Sequence, residues 1–354
     1  METGSYGYPN SHKSADRSYA YRISSTQRLA RRYIGRLLTY SDEHSGWYME
    51  KLMGAIFPSL LVMGGTLFVV AIVTLSRRWT HRHRRRSPFT GDFLRNPGNT
   101  LLGQLDDVRV DLMGYVAASM IMPLLCFSIP ITQAWWSKQP VTSSNWFVYG
   151  VIGLVASGVI SVKLVVAVRR VQQLRLGYEG ELAVGQELNQ LMSQGFRVYH
   201  DFPAGSFNID HVVIGPTGVF AVETKARRKP ITKDRRADAC VEYTGTIFKF
   251  PSWKDQKTLV QADRQAQWLS RWLTSAIGES VTARAVVALP GWFVKQTGRG
   301  GILVFKGKRP DTLFPKVQGN RMSQSMIQRI AHQVEAKCRD VSPRAYVDEL
   351  KEAS

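Results

Sequence analysis

The chain has 354 residues and carries 47 lysines and arginines against 27 aspartates and glutamates, a net charge of +20. That length holds two structural units, and that charge draws the protein to polyanions, either nucleic acid or anionic lipid. Its three cysteines, Cys126, Cys240 and Cys338, lie far apart without CxxC spacing, which argues against a disulfide framework or a zinc ribbon.

Residues 1–47 are rich in Ser, Tyr, Arg and Gly, with no apolar period before Leu29, Ile34, Leu37 and Leu38. They read as a disordered basic tail with a short basic amphipathic helix, which suits a membrane surface or solvent equally. The region 48–170 reads differently. It contains three uncharged runs of 25, 26 and 24 residues, 52–76, 112–137 and 139–162. Each is long enough to cross a hydrocarbon core as a helix, so we expect spans over about 52–76, 112–137 and 139–168. Pro123 and Pro130 predict kinks in the second. Trp135, Trp136 and Trp146 cluster where the second and third spans meet, as at a membrane–water interface. Arginines are dense over 77–86 and recur at Arg169–Arg170, so both places are expected on the cytoplasmic side of the cell's inner membrane. The basic N-terminal tail pulls the other way, and the denser first loop decides the orientation. Lys163, near the cytoplasmic end of the third span, is expected to snorkel.

After residue 171 helix and strand alternate. A helix is predicted over 179–193, with Val184, Leu188 and Leu191 on one stripe and Gly195 as its stop. Glu181 heads that stripe, where a carboxylate is costly unless it meets a cation; the helix dipole is the alternative reason for an acid there. Strands are predicted over 196–202, 246–250, 283–289 and 302–305, and helices over 259–273, 322–338 and 343–352. The unit 171–312 is taken as one domain, with 313–354 as helices packed on or beside it.

The densest signal lies in 208–225, NIDHVVIGPTGVFAVETK, where two apolar strand-like segments flank Gly215-Pro216-Thr217-Gly218. This predicts a β-hairpin. A turn closed by Gly215 and Gly218 sets Ile214 opposite Val219, Val212 opposite Ala221 and Asp210 opposite Glu223. Like charges facing each other on a sheet repel, so the pair makes sense with a divalent cation between the carboxylates. Lys225 falls on the same face, placed to orient a water or steady a developing negative charge. A bulge would undo that facing, and an acid and a lysine at a solvated strand end are the plainer reading. The run 225–236, with seven basic residues in twelve, follows directly and suits nucleic-acid phosphates or an anionic lipid surface equally. On the helix over 259–273, Gln261, Gln265, Trp268 and Trp272 share a face. No GxxxxGKS, HExxH or GxSxG motif is present.

Gly180-Glu181, Asn208 to Pro216 and Gly218 to Lys225 together resemble the nuclease-related domain, NERD, of the PD-(D/E)xK nuclease superfamily. The resemblance covers roughly Gly177 to Pro290, with Ile209 where the superfamily name has proline, and Lys257-Thr258 where the family has Asn-Pro. It implies an α/β restriction-endonuclease-like domain, a central mixed β-sheet flanked by helices, following N-terminal transmembrane helices. It further implies Asp210 and Glu223 as metal ligands with Glu181 as a third acid, Lys225 as the catalytic lysine, and Mg2+ (or Mn2+) as cofactor. Arg227, Arg228, Lys229 and Gln261 are the expected nucleic-acid contacts. The expectation is a multi-pass inner-membrane protein whose cytoplasmic domain hydrolyses DNA. The alternative is a catalytically silent module that binds nucleic acid or a protein partner within a membrane assembly.

Overall fold

The computed structural model describes residues 89 and 91–343, except 231–238 and 320, together with short stretches between 68 and 76. The tail expected over 1–47, most of the span 52–76, the arginine run 77–86, the latter half of the basic run 225–236 and nearly all of the helix 343–352 lie outside the described residues.

The chain divides into two compact units, 1–84 with 124–153, and 85–123 with 154–354. Two long helices contribute to both, α1 (Asn99–Ser137, 39 residues) and α2 (Ser143–Asn189, 47 residues). Both are long and apolar enough to cross a membrane, and their most apolar windows are 0% and 6% buried. Side chains such as Phe147 and Leu154 are about three-quarters exposed. α1 passes through Pro123 and Pro130 without losing its helical assignment. In the first unit, Tyr149 Oη donates to Gln133 Oε1 at 3.2 Å and the Phe127 and Trp146 rings lie 5.6 Å apart.

In the second unit, Lys163 Nζ stands 5.8 Å from the Tyr115 ring. α2 does not stop near 170, where a span was expected to end and a separate helix to begin nine residues later. It runs through Arg169–Arg170 to Asn189, tightens into a 3-10 turn over Gln190–Gln194, and ends at Gly195 in the left-handed conformation. Charge marks where a helix leaves an apolar medium; only backbone conformation ends the helix.

The strands of this unit form a five-stranded mixed sheet. β2 (Arg197–Pro203), β3 (Asn208–Gly215) and β4 (Gly218–Thr224) are antiparallel, and β8 (Ala283–Ala288) and β10 (Leu303–Phe305) continue in parallel beyond β4. The order is β10-β8-β4-β3-β2. One face packs Val212, Ile214, Val219 and Ala221 against α3 (Lys257–Ile277) and α4 (Gln324–Cys338). The other packs Val213, Phe220 and Val222 against Val184, Leu188 and Leu191. The alternating side chains of a strand buried on both faces account for this three-layer arrangement. α4 begins at Ser323, whose hydroxyl accepts from Met326 N, and Asp255 accepts from Thr258 N and Oγ1 at the head of α3.

A second sheet, absent from the sequence reading except for its residues 248–249, joins β5 (Cys240–Tyr243), β6 (Phe248–Lys249), β7 (Lys254–Asp255) and β9 (Phe293–Gln296) in the order β7-β6-β5-β9. A two-stranded ribbon pairs β1 (Phe93–Leu94) with β11 (Arg339–Val341).

Candidate functional site

The hairpin register follows the turn. Gly215 pairs with Gly218, Ile214 with Val219, Val212 with Ala221 and His211 with Val222. One step further the ladder lapses, and the Thr224 amide donates to Asp210 Oδ2 at 2.6 Å. The side chain of Asp210 therefore takes up a strand-edge donor at the point where the register sets it opposite Glu223.

Glu223 is the most deeply buried acid at this open end of the hairpin, a recess in the sense that its acids turn inward, and it is 2% exposed. Its Oε1 pairs with Lys225 Nζ at 2.5 Å, and its Oε2 accepts from Gln265 Nε2 at 2.7 Å. Glu181 arrives from α2 because of the residue before it. A Cβ at Gly180 would stand 2.5 Å from the Cβ of Ala226, so only glycine lets the helix cross the chain that leaves β4. The crossing sets Glu181, itself buried, within the field of Glu223 and Asp210.

The electrostatics are those of anions gathered without enough cation. Burial, then the charges of Asp201 and Glu223, push the Glu181 carboxyl up to about 8, against the pull of Lys225 and a hydrogen bond from the Gly98 amide. Burial, then Glu223 and Glu181, push Asp210 well above the ordinary carboxyl range. Lys225 is held above the ordinary lysine value: burial works against its charge, and the carboxylates of Glu223 and Asp210 outweigh it.

The structure thus gathers Asp210, Glu223, Lys225 and Glu181 at one end of the sheet. Among the described residues no three His, Cys, Asp or Glu side chains converge closely enough to hold an ion as they stand. The donors themselves suit a hard cation, being carboxylate oxygens, and Gln265 adds another: its Oε1 is buried with no partner, while its Nε2 donates to Glu223 and to the Asn208 carbonyl. Gln265 was visible in the sequence only as one member of the α3 face. It makes the contact with the acids, whereas Gln261, one turn earlier, lies half-buried beside Gln256, Lys257, Val260 and Arg264 along a groove at the head of α3.

The first basic residues after Lys225 do not act as one patch. Arg227 pairs with Asp255 at 3.3 Å, Lys229 Nζ stands 5.8 Å over the Trp292 ring, and Arg228 is exposed.

Asp201 was not singled out by sequence reasoning. It interrupts the β2–β3 ladder between His200–His211 and Phe202–Ile209, opposite Asp210, with φ of 51°. Its left-handed backbone carries no sequence signature beyond the tolerance of Asp for that region. On the other face of the sheet, His200 and His211 lie 2.9 Å apart through their Nδ1 atoms, and His211 Nε2 meets Thr224 Oγ1 at 3.2 Å. His211 thus points away from Asp210, as strand alternation requires.

Compared with known families, residues 176–290 match the family described as the nuclease-related domain, NERD. No curated protein and no solved structure matches the chain. The matched segment runs from within α2, just past the third predicted span, through the hairpin to the end of β8, and contains Glu181, Asp210, Glu223 and Lys225. The chain therefore carries a NERD domain over residues 176–290.

Proposed function

We propose that this protein is a membrane-anchored nuclease whose NERD domain faces the cytoplasm and hydrolyses DNA phosphodiester bonds with Mg2+ or Mn2+. The observation that carries the reading is the recess itself: Asp210, Glu223 and Glu181 crowd together beside Lys225, and the first and last of these acids are held far from their ordinary ionisation. Buried like charges at the mouth of a sheet are costly, and a bound divalent ion removes that cost.

Asp210 and Glu223 would hold the ion, with Glu181 and the unpartnered Gln265 Oε1 as further oxygens, directly or through water. Mg2+ retains several waters and needs few protein carboxylates, so the spacing of these acids is compatible with it. When bound, such an ion neutralises phosphate charge and makes an attacking water more acidic. Lys225, kept protonated, would leave Glu223 to orient that water or to face the phosphate as negative charge builds there. Lys257, Gln261 and Arg264 line one groove and would follow a nucleic-acid backbone, joined by exposed Arg228 and, on leaving Asp255 and Trp292, by Arg227 and Lys229. The two apolar helices would anchor the domain, and the arginine bias of the sequence supports an inward-facing orientation.

A second reading has one observation in its favour. The Lys225–Glu223 ion pair supplies a cation from within the chain, as in a silent module that binds nucleic acid or a protein partner. Plasmid nicking by the full chain in detergent separates the two. Cleavage that needs Mg2+, stops with EDTA and is lost in Asp210→Asn and Lys225→Ala supports the nuclease. Salt-sensitive DNA binding without cleavage, unchanged in both variants, supports the silent module.

A further inference from the structure

The recess is finished by residues that lie about eighty positions before the NERD match. β1 is fastened to β11, and Arg95 N donates to Cys338 O at 3.0 Å. The Arg95 guanidinium forks onto Asp340, Nε to Oδ1 and Nη2 to Oδ2, both at 2.7 Å, and its Nη1 reaches Asp201 Oδ2 at 3.0 Å. Thr100, in the first turn of α1, donates to the same Asp201 oxygen from its amide at 2.9 Å and from its hydroxyl at 2.7 Å. Asn208, at the start of β3, donates to Thr100 Oγ1 at 2.6 Å and to Asp201 Oδ1 at 2.9 Å. Gly98, with φ of 69°, packs so closely on Tyr178 and Glu181 that a Cβ there would stand 2.7 Å from Tyr178 Cδ2 and 3.7 Å from Glu181 Oε2. Leu105, one turn on, is 2% exposed.

The contacts to Asp201 and Asn208 end beside Asp210. Asp201 lies opposite Asp210 where the ladder lapses, so the sheet's own hydrogen bonds do not fix that step. Asn208 is two residues before Asp210 on the same face and supplies the carbonyl that Gln265 Nε2 holds. A carboxylate collecting donors from a guanidinium, a hydroxyl, an amide and a carboxamide is strongly directed. The hydroxyl of Thr100 is the shared member: it donates to Asp201 and accepts from Asn208, so its loss breaks both ends at once.

We propose that residues 93–105, the strap that leads into the first of the two long helices, are a working part of the site. Arg95 and Thr100 act through Asp201 and Asn208 as positioning residues for Asp210, and the close passage of Gly98 packs the strap against Glu181. The proposal rests on the reading of those acids as the ion-holding set only for its effect on cleavage; the positioning itself is a property of the fold.

The test uses the full chain in detergent, with hydrogen exchange read peptide by peptide, Mn2+ affinity and plasmid nicking. Thr100→Val is expected to speed exchange over 206–212 and 178–186 about tenfold, to leave 283–288 unchanged, and to weaken Mn2+ binding and slow nicking about tenfold. Thr100→Ser, which keeps the hydroxyl, restores all three. Arg95→Lys, which keeps charge but loses the fork onto Asp340, gives a smaller change of the same pattern and serves if Thr100→Val fails to fold. Unchanged exchange over 206–212 and 178–186 in both Thr100→Val and Arg95→Lys overturns the proposal. A wild type that neither binds Mn2+ nor nicks, while Thr100→Val still loosens those peptides, sinks the nuclease reading and leaves the positioning intact.

Discussion

The two ends of the β3–β4 hairpin obey opposite rules. At the turn end, Ile214, Val219, Val213 and Phe220 are all 0% exposed, and the ladder is regular from Gly215–Gly218 to His211–Val222. At the open end, within three residues, the ladder gives way to a side-chain-to-backbone bond, and three acids and a lysine replace the apolar pairs. The closed end supplies burial that holds the strands in register; the open end gathers like charges, which cost stability. Because alternation and register are inherited along a strand, the rigid end dictates where the acids point.

That contrast can be broken most strongly at the closed end. Phe220 packs edge-on to Phe314 at 5.1 Å between centroids, and Phe220→Ala is expected to cost about 3–5 kcal/mol, read as a fall in the denaturation midpoint. A next largest effect comes from pH. Burial holds His200 down to about 4, and His211 also lies well below the ordinary histidine value. Below the unfolded value near 6.5 the unfolded chain takes protons that these histidines refuse. Stability is therefore lost as pH falls toward 4, by about 3 kcal/mol from His200 alone. Glu181 has the opposite sign: raised to about 8, it loses stability as pH climbs from its ordinary value through 8. The two slopes oppose each other between about 4.5 and 6.5, so the metal-free protein should be flattest there and weaken on either side. Thermal melts across pH check this, and Glu181→Gln should remove much of the alkaline decline.

At the open end a substitution should stabilise. Asp210→Asn keeps an acceptor for the Thr224 amide and removes one of the crowded charges, so the metal-free protein should gain about 1–2 kcal/mol while Mn2+ binding falls at least tenfold. Calorimetry with and without Mn2+ reads both; a loss of stability would mean that the acids are not in conflict. The smallest effect is expected away from the hairpin. Arg329 and Glu279 meet at 2.6 Å with both side chains about half exposed, and Arg329→Ala should cost less than about 0.5 kcal/mol.

What the sequence disclosed follows the same division. Period-two apolar segments around a Gly-Pro-Thr-Gly turn specify register, and register placed Asp210, Glu223 and Lys225 on one face. Gly180-Glu181 was legible as a pair, though the reason for the glycine, the approach of Ala226, needed the packed chain. Gln265 was indistinguishable from Gln261 on a helical face, because which turn of α3 reaches β4 depends on tertiary placement. The strap over 93–105 gave no signal at all. β1 is two residues long, Arg95 finds Asp340 across 245 positions, and Asp201 departs from the strand geometry its neighbours keep. The second sheet failed for a similar reason, since strands of two to four residues carry no periodicity to read. A fragment cut to the family match would leave Asp201 without Arg95 and Thr100.

The unbroken course of α2 sets a limit on what the recess can reach. Glu181 lies twelve residues beyond Arg169 on one helix, at most about 18 Å of rise. If Arg169 marks a lipid surface, the acids around Glu181 lie within that distance of it, and anything held between them has to be thin.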